Sequence, residues 1–396
     1  MNVLDLILIV AAVAFAVSGY RQGFIVGVLS FVGFLGGGVL GMWFVPYILE
    51  HFDPGLGPSI AAICVVLVMA TLTQAMATSV GGRLRRQLTW QPARVVDAAG
   101  GAVVSVSALL VVVWLIGSSI AGSSMPTVSR EVRGSQVLGG VQKVLPQGAD
   151  TWFSSFSNLL DSNGFPQVFS PFVHEDIPQV PPPDEKLLAS PAVQSSRDSI
   201  VKIVGTAKSC GKVIEGSGFV YAPGRVMTNA HVVGGVRKPT VQIGGEGKQY
   251  EADVVLYDWR RDIAVLSVPG LPRTVPSLQF EYKVQPGSDA LVIGFPENGS
   301  FHVEAARVRA QIKAGGPDIY KRGTVSRDVY SLYAKVRQGN SGGPLIAPDG
   351  KVYGVIFAKS LDDESTGYAL TADEVREDIE AGIKNTKAVD TQGCAL

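Results

Sequence analysis

Charged side chains are scarce at the start of this sequence. Only nine of the 68 charged residues (34 Lys+Arg and 34 Asp+Glu) fall within the first 125 of 396 positions, and the first lysine is Lys143. Such a charge-poor segment excludes a wholly soluble chain, and the other 59 charges, in 271 residues, exclude one embedded wholly in a membrane. The length predicts at least two domains. Because neither sign is in excess, neither a basic surface for nucleic acid nor an acidic tail is expected.

Four apolar runs of 18–21 residues occupy the charge-poor segment. A helix of this length crosses a hydrocarbon core of roughly 30 Å. A signal peptide is an alternative for the first run, but no basic segment precedes it and Arg21 follows it at once. We therefore predict an all-α membrane part of four transmembrane helices within residues 1–121. The runs are Val3–Tyr20, Phe24–Phe44, Ile60–Val80 and Ala102–Ala121.

Basic residues occur in two of the three loops between these runs. Arg21 lies in the first loop, and the third loop carries Arg83, Arg85, Arg86 and Arg94. The positive-inside rule places both loops in the cytoplasm. Both termini, and everything after about residue 122, are then expected outside the cytoplasm.

Two features inside the apolar runs call for interpretation. Gly33, Gly37 and Gly41 recur at four-residue spacing, which predicts close helix packing within the bundle, with a dimer seam or a pore lining as alternatives. Asp5 is expected to be a polar residue at the membrane boundary, and a buried functional carboxylate is the alternative.

Residues 122–196 are rich in Ser, Gly, Pro and Gln, which is typical of a connector with short structured pieces. One such piece, 149–160, has apolar residues at helical spacing. It is expected to dock onto the next domain or to lie on the membrane surface.

Residues 197–396 read as short strands separated by Gly, Pro and Asp, which indicates an all-β sandwich or a pair of barrels. Thr371, with Glu374 three positions later, predicts a capping box that opens a helix ending near Lys384. The predicted strands are Ile200–Thr206, Gly216–Tyr221, Gln249–Tyr257, Ile263–Val268, Ala290–Gly294, Phe301–Ile312, Gly323–Val336, Pro344–Ile346 and Val352–Ala358.

The string Gly339-Asn340-Ser341-Gly342-Gly343-Pro344 can place a serine hydroxyl on a tight turn. The backbone amides of Gly339 and Ser341 could converge there on one oxygen and hold a developing oxyanion. A serine is a weak nucleophile by itself and needs a base, which a third group must orient. Taken alone, the string is equally compatible with a glycine-rich β-turn.

His231 is the best candidate base among four histidines, because His51 lies in a membrane loop, His174 in the connector, and His302 has no partner signal. Asp262 leads into an apolar strand, where its carboxylate could fix the imidazole tautomer. A core histidine and a strand-edge cap are the structural alternatives. Asp253 and Asp258 could also compete for the carboxylate role.

Four strings in this order, GSGFV, TNAHVV, RRDIAVL and GNSGGP, resemble the trypsin-like serine proteases, and most closely their HtrA/Deg branch. The membrane part is similar to the CvpA-like four-helix family. The combination resembles the MarP-like family of membrane-anchored proteases, whose name is associated with acid resistance. The resemblance implies a chymotrypsin-like double β-barrel. It also implies that His231 is the general base, Asp262 its orienting group, Ser341 the nucleophile, and the amides of Gly339 and Ser341 the oxyanion hole.

The function this implies is an extracytoplasmic (periplasmic), membrane-anchored serine endopeptidase of the envelope or acid and oxidative stress response. Its partners would be protein or peptide substrates in the cell envelope, and the chemistry needs neither a cofactor nor a metal. A catalytically silent protease fold used for binding is one alternative. A transport protein with an accessory β domain is another, although the near absence of intramembrane charge argues against ion conduction.

Cys210 and Cys394 flank the protease segment, 184 positions apart, in a compartment that permits oxidation. A bond between them would staple the C-terminal segment to the first barrel, with a stabilisation of about 5 kcal/mol at most. Two free thiols are the alternative, and a redox switch is a further hypothesis. An unperturbed histidine titrates near pH 6.5, so a simple histidine base predicts activity that falls as the medium acidifies.

Overall fold

The computed structural model describes residues 2–49, 56–121, 131–145, 166, 168–169, 175, 177–207 and 212–395. The chain forms two compact units. The first comprises Met1–Gly117 and Ser135–Val144, and the second comprises Ser118–Gly134 and Leu145–Leu396.

The first unit is helical. Its four long helices each carry an apolar window long enough to cross a membrane, as the sequence predicted. The third and fourth are longer than their apolar runs, because the helical backbone continues through the polar segments that flank them. The helices are α1 (Val3–Gln22), α2 (Phe24–Leu49), α3 (Leu56–Arg86), α4 (Gln91–Ala121) and the short α5 (Gln136–Val144).

Glycines on α2 allow α3 to approach closely. A Cβ atom added at Gly33 would lie 2.6 Å from the Ala77 Cβ, and one at Gly41 would lie 2.7 Å from the Val66 Cα. The Thr73 hydroxyl of α3 donates to the Gly33 carbonyl at 2.7 Å. The predicted role of the glycine series in packing within the bundle is thereby confirmed.

Asp5 lies in the first turn of α1, at the end of this apolar helix, and its side chain is fully buried. Its carboxylate accepts from the Ser135 hydroxyl at 2.6 Å and from the amides of Gln136 and Val137 at 3.2 and 3.1 Å. These amides are the unpaired donors at the start of α5. Asp5 therefore caps a helix that the sequence did not predict.

The second unit is built on two antiparallel sheets. Seven strands follow the order β5-β4-β1-β2-β3-β7-β6, and six close into a barrel in the order β10-β13-β12-β11-β8-β9. The strands are β1 (Ile200–Ala207), β2 (Lys212–Ala222), β3 (Arg225–Thr228), β4 (Thr240–Ile243), β5 (Gln249–Glu251), β6 (Asp253–Asp258), β7 (Ile263–Ser267), β8 (Asp289–Gly294), β9 (His302–Pro317), β10 (Thr324–Tyr333), β11 (Pro344–Ile346), β12 (Val352–Lys359) and β13 (Thr366–Thr371).

Short helices surround these sheets: α6 (Pro191–Ser196), α7 (Arg376–Lys384) and the 3-10 turns Glu185–Ala189, Arg197–Ser199 and Pro296–Asn298. Each sheet has an apolar core. A third cluster contains Phe219 of the first sheet together with Ile293 and Phe357 of the barrel. Because one core is shared, the two sheets are fixed against each other, and loops from both can form a rigid site.

The predicted helix start at Thr371 was wrong, since Thr371 ends β13 and α7 begins at Arg376. The Thr371 hydroxyl does accept from the Glu374 amide at 3.0 Å. However, the Glu374 carboxylate accepts from the amide of Asp328 in β10, at 2.9 Å. The capping box is therefore half formed, because a strand of the barrel takes the second partner.

Described residues of the connector bind the loop between β12 and β13. The buried Glu175 carboxylate accepts from the Ser360 hydroxyl, from Tyr368 Oη at 2.8 Å and from the Leu361 amide at 3.3 Å. Arg133 donates to Asp362 Oδ1 at 2.6 Å and to the Leu361 carbonyl at 2.8 Å. This part of the connector is thus packed rather than a free spacer. The helix predicted at 149–160 lies outside the described residues.

Candidate active site

The candidate base follows directly on β3. His231 Nδ1 lies 2.7 Å from Asp262 Oδ2, and the His231 backbone amide donates to Asp262 Oδ1 at 2.9 Å. The Asn229 side-chain amide donates to the Asp262 carbonyl at 2.8 Å. One fully buried carboxylate thus fixes both the ring and the backbone of a histidine that is itself 6% exposed.

The competing aspartates are bound elsewhere. Asp253 pairs with Lys238 at 3.1 Å, and Asp258 pairs with Arg261 at 2.8 Å. Of the three candidates, Asp262 is the one that contacts His231.

The turn before β7 brings Asp262 to this position. Asp262 has φ +68°, a left-handed conformation that a short polar side chain tolerates better than most. The buried Arg327 of β10 donates to the Arg260 carbonyl through Nε at 3.0 Å and Nη2 at 2.5 Å. Burial lowers the pKa of Arg327, and the nearby negative charge of Asp262 opposes this. A guanidinium from the barrel therefore holds the turn of the first sheet that carries the candidate carboxylate.

Ser341 lies on a buried turn between two glycines that need positive φ, Gly339 (φ +92°) and Gly342 (φ +81°). A Cβ atom at Gly342 would lie 3.0 Å from the Asn229 amide nitrogen and would collide with the Ser217 carbonyl. The serine turn therefore packs directly against the turn that carries His231. Among the described residues, no hydrogen bond joins the Ser341 hydroxyl to the imidazole. Catalytic hydrogen bonds of free enzymes commonly tighten only when substrate binds.

Backbone amides of the serine turn fall into two groups. The amides of Asn340, Gly342 and Gly343 donate to backbone carbonyls at 3.0, 2.8 and 2.9 Å. Within the described part of the chain, the amides of Gly339 and Ser341 donate to no backbone carbonyl. These are the two amides that the sequence assigned to an oxyanion hole, and both are free to receive a substrate oxygen.

Contacts across the sheets identify two residues that the sequence reasoning left without a role. Arg327 gives no sequence signal beyond a charge within a predicted strand. Ser217 lies inside the string GSGFV and is fully buried, and its hydroxyl bonds the serine turn. The position of Ser217 in an ordered motif was the available signal.

Metal ligands and cysteines were the remaining candidates for chemistry in the sequence. No group of three or more His, Cys, Asp or Glu side chains in the described ranges could hold a metal ion. Cys394 is disulfide-bonded and Cys64 of α3 is a free thiol. Cys210 lies outside the described residues.

Comparison with known families matches both units. Residues 216–355 match the trypsin-like peptidase domain, and residues 4–146 match the family of the colicin V production protein. Serine protease Rv3671c of Mycobacterium tuberculosis strain H37Rv is 38% identical over 394 residues, which cover 99% of this chain and 98% of that protein. The chain belongs to this family of serine proteases.

A crystal structure and a more distant relative are also similar to this chain, and both are described as proteases. The crystal structure of the Rv3671c protease in its active form is 45% identical and covers 58% of this chain and all of its own, with a TM-score of 0.54. The putative serine protease HhoB of Synechocystis is 33% identical over 172 residues, 41% of this chain and 40% of that protein. The sequence-based predictions of a serine protease, of four apolar helices and of a trypsin-like β domain are confirmed. The protein is a multi-pass membrane protein whose substrates are proteins or peptides.

Proposed function

We propose that this protease is an endopeptidase that uses Ser341 as nucleophile, His231 as general base and Asp262 as orienting group. The observation that carries the proposal is the buried Asp262 carboxylate, which binds His231 through both its ring and its amide, at 2.7 and 2.9 Å. The turn that carries His231 packs against the turn that carries Ser341 and its flanking glycines. Within the described chain, the backbone amides of Ser341 and Gly339 donate to no backbone carbonyl.

The mechanism follows from these positions. Ser341 Oγ attacks the peptide carbonyl while His231 Nε2 takes its proton, and Asp262 stabilises the imidazolium that forms. The amides of Gly339 and Ser341 stabilise the negative charge on the tetrahedral oxygen. The tetrahedral intermediate collapses, and His231 gives the proton to the leaving amine. Water then attacks the acyl group on Ser341 while His231 takes the water proton, and the acyl group is released as His231 returns that proton to Ser341.

Replacement of Ser341 by Ala tests this proposal. We expect peptide hydrolysis by the purified full-length chain to fall by about 10⁴-fold or more, because the covalent intermediate cannot form. Ser326→Ala, an exposed serine of β10, is the matched control and should retain full activity. If Ser341→Ala hydrolysed peptides as fast as Ser326→Ala, the assignment of the nucleophile would be wrong. If neither variant nor the wild type hydrolysed any peptide, a catalytically silent fold would be favoured.

The domain organisation extends the proposal. Residues 1–121 anchor the chain, 122–196 connect, and 197–396 form the protease, on the periplasmic side of the membrane. The arginines of the first and third loops support this orientation through the positive-inside rule. The substrates are then proteins or peptides of the cell envelope.

A disulfide between Cys210 and Cys394 is part of the proposal, because Cys394 is bonded, Cys64 is free and the sequence holds no fourth cysteine. The segment near Cys394 is fastened to the turn after His231, where the Gly235 amide donates to the Thr391 carbonyl at 3.1 Å. A disulfide at Cys394 would help to hold this C-terminal segment against the turn after His231 in an oxidising compartment, and we infer a role in the envelope or acid and oxidative stress response. Non-reducing peptide mapping should find Cys210 and Cys394 linked, and two free thiols would contradict the pairing.

A further inference from the structure

Ser217 of β2 bonds the serine turn and the loop after β8 at the same time. Its hydroxyl donates to the Gly339 carbonyl at 2.6 Å and accepts from the Phe295 amide at 2.9 Å. Its backbone amide donates to the Ser341 carbonyl at 2.8 Å. Because Ser217 is fully buried, no water competes for these bonds. Ser217 of the first sheet thus holds the serine turn through hydrogen bonds to both Gly339 and Ser341.

The loop after β8 holds the neighbouring peptide unit. The Glu297 amide donates to the Gln338 carbonyl at 2.7 Å. In a planar trans peptide the carbonyl and the next N–H point to opposite sides. A Gln338 carbonyl directed at Glu297 therefore directs the Gly339 N–H away from that loop, and this N–H donates to no backbone group in the described chain.

The backbone of this loop is held in an unusual conformation. Glu297 and Asn298 have φ +55° and +58°, a left-handed region that non-glycine residues seldom occupy. A Cβ atom at Gly339 would collide with the Phe295 carbonyl and lie 3.0 Å from the Glu297 nitrogen. Strained backbone of this kind persists where the surroundings enforce it, and it is found preferentially at functional sites.

We propose that Ser217 is a positioning residue that, together with the Glu297 amide, locks the Gln338–Gly339 peptide so that the Gly339 N–H faces the substrate oxygen. Gly339 tolerates many backbone angles, so without these two restraints the peptide could rotate and withdraw the donor. Ser217 does not touch the substrate and acts through Gly339. The inference rests on the proposed function, because it assigns Gly339 to the oxyanion hole.

The variant Ser217→Ala in the full-length chain tests the inference. We expect kcat to fall about 10- to 100-fold with KM changed less than threefold, because the lost interaction is needed mainly in the transition state. The affinity for a peptide boronic acid, which forms a tetrahedral adduct, should fall by the same factor as kcat/KM. The affinity for a cleaved product peptide should stay within threefold. If Ser217 only stabilised the fold, Ser217→Ala would change the affinities for the boronic acid and for the product peptide by the same factor.

Ser331→Ala is the matched control, because Ser331 is another buried serine of the protease and its hydroxyl has no hydrogen-bond partner among the described residues. It should leave kcat unchanged. Ser217→Cys keeps the shape with a weaker donor and should give an intermediate kcat, and it decides the question if Ser217→Ala does not fold.

Two outcomes would overturn the inference while leaving the proposed function intact. One is an active wild type with a Ser217→Ala variant whose kcat is within twofold. The other is an equal loss of affinity for the boronic acid and for the product peptide. An inactive wild type, in contrast, would count against the proposed function itself.

Discussion

Asp262 is the residue on which the candidate site depends most, since its two carboxylate oxygens accept from the ring and from the amide of His231. We expect Asp262→Asn to lower kcat by about 10⁴-fold, because the amide nitrogen cannot accept a hydrogen bond and the imidazole is left in the wrong tautomer. Steady-state kinetics on a peptide substrate provide the measurement. Asp253→Asn, at an aspartate paired with Lys238, is the control and should leave kcat unchanged. Equal activity of the two variants would contradict the role of Asp262.

The sequence predicted His231, Asp262 and Ser341 from local strings in a fixed order, and the structure places Asp262 in contact with His231. It could not assign Ser217 or Arg327, whose partners lie 122 and 67 positions away in the chain. Their roles depend on how the two sheets pack, and no local pattern encodes that packing. The contact between Asp5 and Ser135 could not be predicted for the same reason, since these residues are 130 positions apart.

Helix α7 introduces a pH-dependent element into the protease unit. Asp378 is buried beside Arg261 at 3.3 Å, and burial raises its pKa to about 7, although the charge of Arg261 opposes the shift. The folded state therefore binds a proton that the unfolded state, with a pKa near 3.8, does not bind between about pH 4 and 7. The free energy of unfolding should thus rise as the pH falls through this range.

Asp378→Asn tests this element, because asparagine imitates the protonated carboxyl. We expect the variant to be more stable than the wild type at pH 8, by on the order of 2 kcal/mol, with the difference vanishing as the pH approaches 4. Melting temperatures of the full-length chain at several pH values provide the measurement. Glu380→Gln, at an exposed carboxylate of the same helix, is the control and should show no such pH-dependent difference. A stability difference independent of pH would contradict the assignment.

Elements with strong periodicity were predicted well, and elements defined by tertiary contacts were not. The four apolar helices and strands such as β1, β7 and β11 follow from hydropathy and turn residues. Strand β13 was missed, because Thr371 and Glu374 at its end suggested the start of a helix. In the structure the Glu374 carboxylate instead accepts from an amide of β10. The connector looked like a spacer by composition, yet Glu175 and Arg133 bind it to the β12–β13 loop.

At the scale of the whole molecule, the proposed orientation joins a membrane anchor to a protease outside the cytoplasm. We expect an alkaline phosphatase reporter fused after residue 396 to be active, since that enzyme folds only where disulfides form. A reporter fused at residue 88, between α3 and α4, should be inactive, because the arginines of this loop favour the cytoplasm. The reverse pattern would contradict the topology and remove the support for a cystine.

The central claim is that three residues far apart in the sequence act as one catalytic unit, and the site of covalent labelling by a fluorophosphonate tests it most directly. Mass spectrometry of the labelled full-length chain should locate a single adduct on Ser341, and His231→Ala should abolish it, because the serine then loses its base. An adduct on another serine, or undiminished labelling of Ser341 in His231→Ala, would contradict the account.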